Sequence, residues 1–144
     1  MRRLRHGDRR RRRDALTCWL LVRGRGDRPL ERFHGDRVDA HSSSKRPSHV
    51  VGDRCVLYAS VWQAVYGLAE VAGPAEHDPE RARWAWRFPL RPVAVIEDLD
   101  RAIPAEEVGV FPSSVWRHSY IRLTEQQYAG AATAIRARAG CQAP

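Results

Sequence analysis

The stretch VGDRCVLYASVWQAVYGLAEVAGP, residues 51–74, decides the fold. The apolar run RCVLYAS (54–60) follows a Val-Gly-Asp turn signal, and a second apolar run continues to Gly73-Pro74 with almost nothing between the two. Two adjacent apolar runs of this length predict an antiparallel β-hairpin. Gly67, inside the second run, predicts a bulge or the close approach of backbone or of a ligand.

Apolar runs on either side of this hairpin predict further strands. TCWLLVRG (17–24) is a buried first strand, and WAWRFPLRPVAVI (84–96) alternates between apolar and polar positions. Pro89 and Pro92 confine the later strand to a sheet edge or to a bulge, because proline cannot donate to the ladder. Residues 24–52 show no clear periodicity and predict a long loop, which is usually functional or mobile in a small domain.

The C-terminal region predicts helix. Thr124 and Gln127 stand three residues apart as a capping box, and apolar residues then repeat at helical spacing to a helix end near Gly140. A shorter helical piece is predicted to begin at Pro104. The chain is therefore expected to be α+β, a small, partly closed β-barrel of about five to six strands with flanking short helices and a C-terminal helix.

Composition restricts the class of protein. The 144 residues, 43% of them hydrophobic, suit one domain with one core. No window approaches 18 apolar residues, so no membrane span is expected, and the start lacks the apolar stretch of a secretory signal, which predicts a cytoplasmic protein. The three cysteines (Cys18, Cys55, Cys141) are odd in number and form no C-x-x-C pair. This argues against a disulfide framework or a thiolate metal site, and we expect no metal and no cofactor.

The net charge of +8 is unevenly distributed along the chain. Residues 1–14 contain eight arginines and two aspartates, so the remaining 130 residues contribute only a small excess. We expect an arginine-rich disordered arm over 1–16, a domain over 17–139 and a flexible tail over 140–144. The arm can bind phosphates without sequence specificity, or it is dispensable, or the true start of translation lies further on.

Several motifs in order along the chain resemble the EVE domain. These are WLLV near the start, VGDRCVLYAS, YGLAEVAGP, the W-x-W-x-F-P-L-R-P strand and RHSYIRLTEQQY, together covering roughly 17–138. The EVE domain belongs to the PUA-like superfamily and is related to YTH domains. The resemblance implies a partly closed β-barrel with an aromatic pocket, in which relatives hold a flipped-out or single-stranded modified nucleobase. Bacterial EVE domains look like readers of modified bases in DNA or RNA.

Residue types that suit this chemistry are present. A nucleobase is held by stacking on aromatic rings, worth about 1–3 kcal/mol per base, and is identified by hydrogen bonds to its edge. The candidate nucleobase-binding residues are Trp19, His41, Ser42, Tyr58, Ser60 and Trp84. The candidate phosphate-binding residues are Lys45, Arg46, Arg87 and Arg117.

The resemblance carries one departure. Trp84 aligns with a cage tryptophan of YTH domains, but relatives commonly have another aromatic residue in the segment near Val38 to His41. This chain has Asp39-Ala40-His41 there. Either His41 stacks on the base, or the cage has two aromatic residues instead of three.

The leading hypothesis is a monomeric, non-catalytic nucleic-acid-binding module for a modified nucleobase. The alternatives are an RNA-binding PUA-like module for tRNA or rRNA, an enzyme acting on a nucleotide or RNA, and a protein-interaction module that uses the Trp-rich strand. No G-x-S-x-G elbow, P-loop, H-E-x-x-H or deaminase signature is present. The best acid–base set is His34 and His41 with Asp36 or Asp39, and a buried His–carboxylate contact would favour an enzyme. An exposed apolar face over 84–90 would favour a protein partner.

Overall fold

The structure, a computed structural model, describes residues 16–140, and side chains up to residue 139. Most of the predicted arm and nearly all of the predicted tail, including Cys141, lie outside the described residues. The strands are β1 (Cys18–Arg23), β2 (Ala40–Ser43), β3 (Arg54–Ala59), β4 (Ala64–Val71), β5 (Glu76–His77), β6 (Trp86–Val95), β7 (Ile103–Pro104) and β8 (Tyr120–Leu123). The helices are α1 (Pro112–Val115) and α2 (Glu125–Gly140), with 3₁₀ turns at Leu99–Arg101 and Ala105–Val108.

Six strands form one curled sheet in the order β2-β6-β4-β3-β1-β8, with β5 added to β6 and β7 to β4. Within that order β1 and β3 run parallel, and the other neighbours are antiparallel. The two ends of the sheet meet where Nε2 of His41 in β2 donates a hydrogen bond of 2.8 Å to the carbonyl of Ser119, just before β8. The predicted α+β class and the partly closed barrel are confirmed.

The predicted hairpin forms from β3 and β4, and both expectations for Gly67 are confirmed. The register shifts between Leu57 and Tyr58, which leaves one extra residue in β4. A Cβ atom on Gly67 would lie 2.8 Å from Cδ1 of Leu57. The strands approach closely at this position because glycine has no side chain to hold them apart.

The strand predicted over 84–96 forms as β6, but it does not lie at the edge of the sheet, since β4 and β5 flank it on one side and β2 on the other. The prediction of a bulge is confirmed. The register shifts between Pro92 and Ala94, so that Val93 has no partner in β4. The bulge lies directly beside Pro92, whose missing N–H interrupts the regular ladder between β4 and β6.

The segment predicted as a loop over 24–52 contains β2, whose Ala-His-Ser-Ser sequence has weak strand propensity. Pairing with β6 supplies its hydrogen bonds. Because β1 is parallel to β3, the chain must cross over between them, and residues 24–39 form this crossing loop. Two bonds to carbonyls tie the loop to the barrel, from Trp62 Nε1 to Leu30 (2.7 Å) and from His34 Nε2 to Ile96 (2.8 Å).

The predicted capping box begins α2. Gln127 donates its backbone N–H to the hydroxyl of Thr124, and Thr124 donates its N–H to the side chain of Gln127, at 3.0 and 2.9 Å. Pro104 immediately precedes the second 3₁₀ turn, near the predicted start of a helical piece. None of the helices within residues 16–140 is long and apolar enough to cross a membrane.

Candidate functional site

A cleft of about 1350 Å³ opens between the crossing loop, the β3–β4 turn and the segment 112–120. Residues after β2 and the segment that precedes β6 complete its walls. Pockets for small ligands usually enclose about 300–1,000 Å³, so this cleft has room for more than one compact ligand group.

The cleft collects positive charge. Residues 1–14 hold eight of the chain's 25 cationic residues and two of its 17 acidic residues. The remaining residues therefore contain 17 cationic and 15 acidic side chains, which nearly balance. Six of those 17 cationic side chains line the cleft: Arg23, Arg25, Arg28, Lys45, Arg81 and Arg117. The one carboxylate in the lining is Asp36, whose Oδ1 lies 2.8 Å from Nη2 of Arg23. The cleft therefore attracts anions although the domain as a whole has little net charge.

A buried polar network lies along the inner wall of the cleft. Asp36 accepts two hydrogen bonds from Arg23, one from the hydroxyl of Tyr66 and one from the backbone N–H of Val38. Burial opposes the ionised form of Asp36, but the hydrogen bonds from Arg23 outweigh it and lower the pKa of the carboxyl. Both carboxylate oxygens have two partners, so this network holds the crossing loop and offers no free carboxylate to a ligand.

His41 is fully engaged in the same network. Its Nε2 faces the carbonyl of Ser119 and must donate, so its Nδ1 accepts from Arg23 at 3.2 Å. Burial, aided by the charge of Arg23, lowers the pKa of His41 to about 3. The imidazole is therefore neutral near pH 7, with no polar edge left for a ligand.

His34 is engaged in the same way, between the carbonyl of Ile96 and the backbone N–H of Asp36. Neither His34 nor His41 hydrogen-bonds a carboxylate side chain. The acid–base set considered for an enzyme does not assemble.

Several other polar side chains of the lining have no side-chain hydrogen bond within the described part of the chain, among them Ser42, Tyr58, Ser60 and Gln63. Tyr58 is only 4% exposed, so its ring face is covered by neighbours. Burial also raises its pKa, which keeps the hydroxyl protonated. Tyr58 can thus present a hydroxyl to a ligand, but not a stacking surface.

Two tryptophans supply aromatic surface to the lining. The guanidinium carbons of Arg25 and Arg83 lie 4.7 and 5.0 Å from the ring centroid of Trp84. Trp116 is 70% exposed, and the guanidinium carbon of Arg117 lies 4.3 Å from its ring. The pattern of the sequence did not indicate Trp116, because it stands in an irregular segment with no periodic neighbours.

The lining includes most of the residues predicted from the sequence: His41, Ser42, Tyr58, Ser60, Trp84, Lys45 and Arg117. Trp19 lies outside the cleft. It is 8% exposed in β1, its Nε1 donates to Asp53 at 2.9 Å, and its ring packs 4.1 Å from His49. Arg46 lies over Trp86 instead, and Arg87 points to solvent from β6. We leave these three out of the site.

Strained backbone also concentrates here. Five described residues other than glycine have positive φ, and four of them line the cleft: Val61 (73°), Gln63 (54°), Trp84 (49°) and Arg117 (68°). A β-branched residue such as valine rarely adopts this conformation. Strain of this kind is commonly retained at functional sites, where it fixes the direction of side chains.

The structure bears on two other hypotheses. Phe88 and Leu90 are 1% and 6% exposed, so the 84–90 face is not the exposed apolar patch that a protein partner would favour. Within the described residues, no group of three His, Cys, Asp or Glu side chains is placed to hold a metal ion.

Known structures share this fold. No protein-family model matches the sequence, and no curated protein matches it. A hypothetical protein from Leishmania major is 17% identical with a TM-score of 0.57, over 90% of this chain and 99% of that one. A protein from Agrobacterium tumefaciens is 16% identical with a TM-score of 0.54, over 82% and 92%. Human THYN1, solved in complex with 5-methylcytosine containing DNA, is 12% identical with a TM-score of 0.49, over 78% and 94%. The likenesses to the Leishmania major and Agrobacterium tumefaciens proteins establish the fold alone.

Proposed function

We propose that this protein is a non-catalytic nucleic-acid-binding module that holds one modified nucleobase of DNA or RNA in the cleft. The observation that carries the proposal is the concentration of charge. Six cationic side chains meet one carboxylate that Arg23 already neutralises, in a domain whose charges otherwise nearly cancel. Such a surface suits the phosphates that flank a base, which position a strand without reading its sequence.

The rest of the lining suits the base itself. Trp84 offers aromatic surface for stacking, and the free hydroxyls of Ser42, Tyr58 and Ser60 can bond to the edge of a base. Burying one added methyl group is worth about 0.8 kcal/mol, which corresponds to roughly a fourfold preference for a methylated base. The cleft is larger than one base requires, so it also accommodates part of the flanking backbone.

The resemblance to EVE domains supports the same proposal. Its motifs supply Tyr58 of β3, Ser60 just after β3 and the Arg117 segment before β8, and all three positions line the cleft. The fold expected from that resemblance is the fold observed. We therefore place the chain among EVE-type proteins as part of this proposal, and we expect a monomer.

A competition assay tests the proposal. The full-length protein is mixed with a labelled oligonucleotide and competed with pairs of oligonucleotides that differ by one methylated base, in DNA and in RNA, at 0.15 M salt. We expect at least one methylated competitor to bind about fourfold more tightly than its unmodified partner. Tyr58→Phe, which removes only the hydroxyl, should reduce that discrimination.

A variant with the eight arginines of residues 2–13 replaced by serine is the control for non-specific attraction. It should bind more weakly overall and keep the same preference for the methylated competitor. Equal affinity within every pair, together with loss of all binding in this variant, would refute the proposal and leave only the charge of the N-terminal region.

A further inference from the structure

Trp116 is the most exposed large hydrophobic side chain among residues 16–139, at 70%, and it stands on the rim of the cleft. Its only ring or cation contact in that range is with Arg117. Such exposure leaves a large apolar surface in water, which commonly marks a surface that a ligand covers.

The backbone holds Trp116 firmly in place. Val115 beside it is 3% exposed, and the N–H of Trp116 donates to the carbonyl of Pro112 at 3.2 Å. Three residues further on, the carbonyl of Ser119 accepts from Val22 at 2.9 Å. An aromatic ring on a segment fixed at both sides loses little freedom when a ligand stacks on it.

The charges around the ring identify the kind of ligand. Arg117, at φ 68°, places its guanidinium carbon 4.3 Å from the ring of Trp116. Arg28 and Lys45 belong to other walls of the same cleft. Aromatic surface beside a groove lined by cations is the arrangement that binds single-stranded nucleic acid, where each base stacks and each phosphate meets a cation.

Resting on the proposed function, we propose that Trp116 stacks the nucleotide adjacent to the one held in the cleft, so that the ligand is a single-stranded segment of at least two nucleotides. The cationic groups line the interior of the cleft, so phosphates must enter it together with the base. In a duplex, the adjacent base is stacked and paired within the double helix, so its face is not free to stack on Trp116. A strand free of its complement satisfies both requirements.

The test compares Trp116→Ala with the full-length wild-type protein, using a fluorescent single strand of eight nucleotides, the same sequence as a duplex, and a nucleoside monophosphate. Removing one stacked base contact should weaken binding of the single strand by about 5- to 150-fold. Affinity for the nucleoside monophosphate should stay within about twofold, because a single nucleotide does not reach the rim. Trp116→Phe should restore most of the lost affinity, since phenylalanine still stacks.

Phe33→Ala is the matched control. Phe33 is 66% exposed and has the guanidinium carbon of Arg32 5.0 Å from its ring, but it does not line the cleft. It should leave binding unchanged. Equal affinity of wild type and Trp116→Ala for the single strand, or equal affinity of the wild type for single strand and duplex, overturns the inference.

Failure of the proposed function gives a different result. If the wild type binds neither the single strand nor the duplex, or binds the single strand just as well after Arg28 and Arg81 are both replaced by serine, the cleft does not bind nucleic acid and the proposed function fails. If replacing Arg28 and Arg81 weakens binding of the single strand and Trp116→Ala does not, only the stacking inference fails.

Discussion

Replacing Arg28 and Arg81 by serine tests whether the cleft is the phosphate-binding surface. Both side chains are exposed, they come from different walls of the cleft, and neither makes a side-chain hydrogen bond or ion pair with another described residue. Their removal should therefore leave the fold intact and change only the charge that the cleft presents.

The magnitude follows from counterion release. Each phosphate contact on a single strand contributes about 0.7 to the slope of log affinity against log salt, so losing two contacts lowers the slope by about 1.4. Because the difference vanishes near 1 M salt, affinity at 0.1 M should fall by about 25-fold, or ~1.9 kcal/mol. Fluorescence anisotropy with a labelled single strand, measured at several salt concentrations, gives both quantities.

The matched control replaces Arg101 and Arg136 by serine. These two arginines are also exposed, their loss gives the same net charge, and neither lines the cleft. The slope counts the phosphates that the protein contacts directly, so the loss of two arginines outside the cleft should change it little. If the control pair lowers the slope as much as the cleft pair does, the overall charge of the chain, and not the cleft, attracts the nucleic acid.

Three further predictions concern stability and are measured by urea denaturation. Burial lowers the pKa of His41 to about 3, against 6.5 for a free histidine. Between these two values the unfolded chain binds a proton at His41 and the native chain does not. The free energy of unfolding should then fall as the pH drops below 6.5, with a loss of about 2 kcal/mol from His41 by pH 5, and His41→Gln should flatten this part of the profile. An unchanged slope would contradict the buried neutral state. Gly67→Ala should lower the free energy of unfolding by about 1–3 kcal/mol, because its Cβ atom would lie 2.8 Å from Leu57. Gly130→Ala in α2 should raise it by about 1 kcal/mol, since a Cβ atom there would have nothing within 4 Å. Equal effects of the two alanines would show that β3 and β4 yield at this contact. Val61→Asn should raise the free energy of unfolding by roughly 1 kcal/mol, since asparagine tolerates the left-handed conformation at φ 73° better than valine. If this variant is no more stable than the wild type, the backbone at the hairpin turn is not strained.

The features that could be predicted from the sequence are those whose signals lie close together along the chain. The hairpin, its irregularity at Gly67 and the Thr124–Gln127 capping box each depend on residues a few positions apart. By contrast, β2 was missed because its strand conformation depends on pairing with β6, more than 40 residues away. Propensity carries little information where tertiary pairing decides the structure.

The same reasoning applies to the site. Tyr58 and Ser60 could be predicted because strand alternation puts Tyr58 and the position two residues after it on one side of the hairpin. The contact of Asp36 with Arg23 and Tyr66 could not, because it depends on how the crossing loop folds back on the barrel. Trp19 was assigned to the site although it is buried. Since both faces of β1 are covered, its alternation does not reveal which face meets the cleft.

The pairing of β1 has a consequence for biosynthesis. Its two neighbours are β3 and β8, and the bond that joins the ends of the sheet needs the carbonyl of Ser119. When a ribosome has made the first 100 residues, β1 still lacks one partner strand and His41 still lacks its acceptor. The first strand to emerge is thus among the last to be completed, and until then the nascent chain carries an open, apolar strand edge that a chaperone can shield.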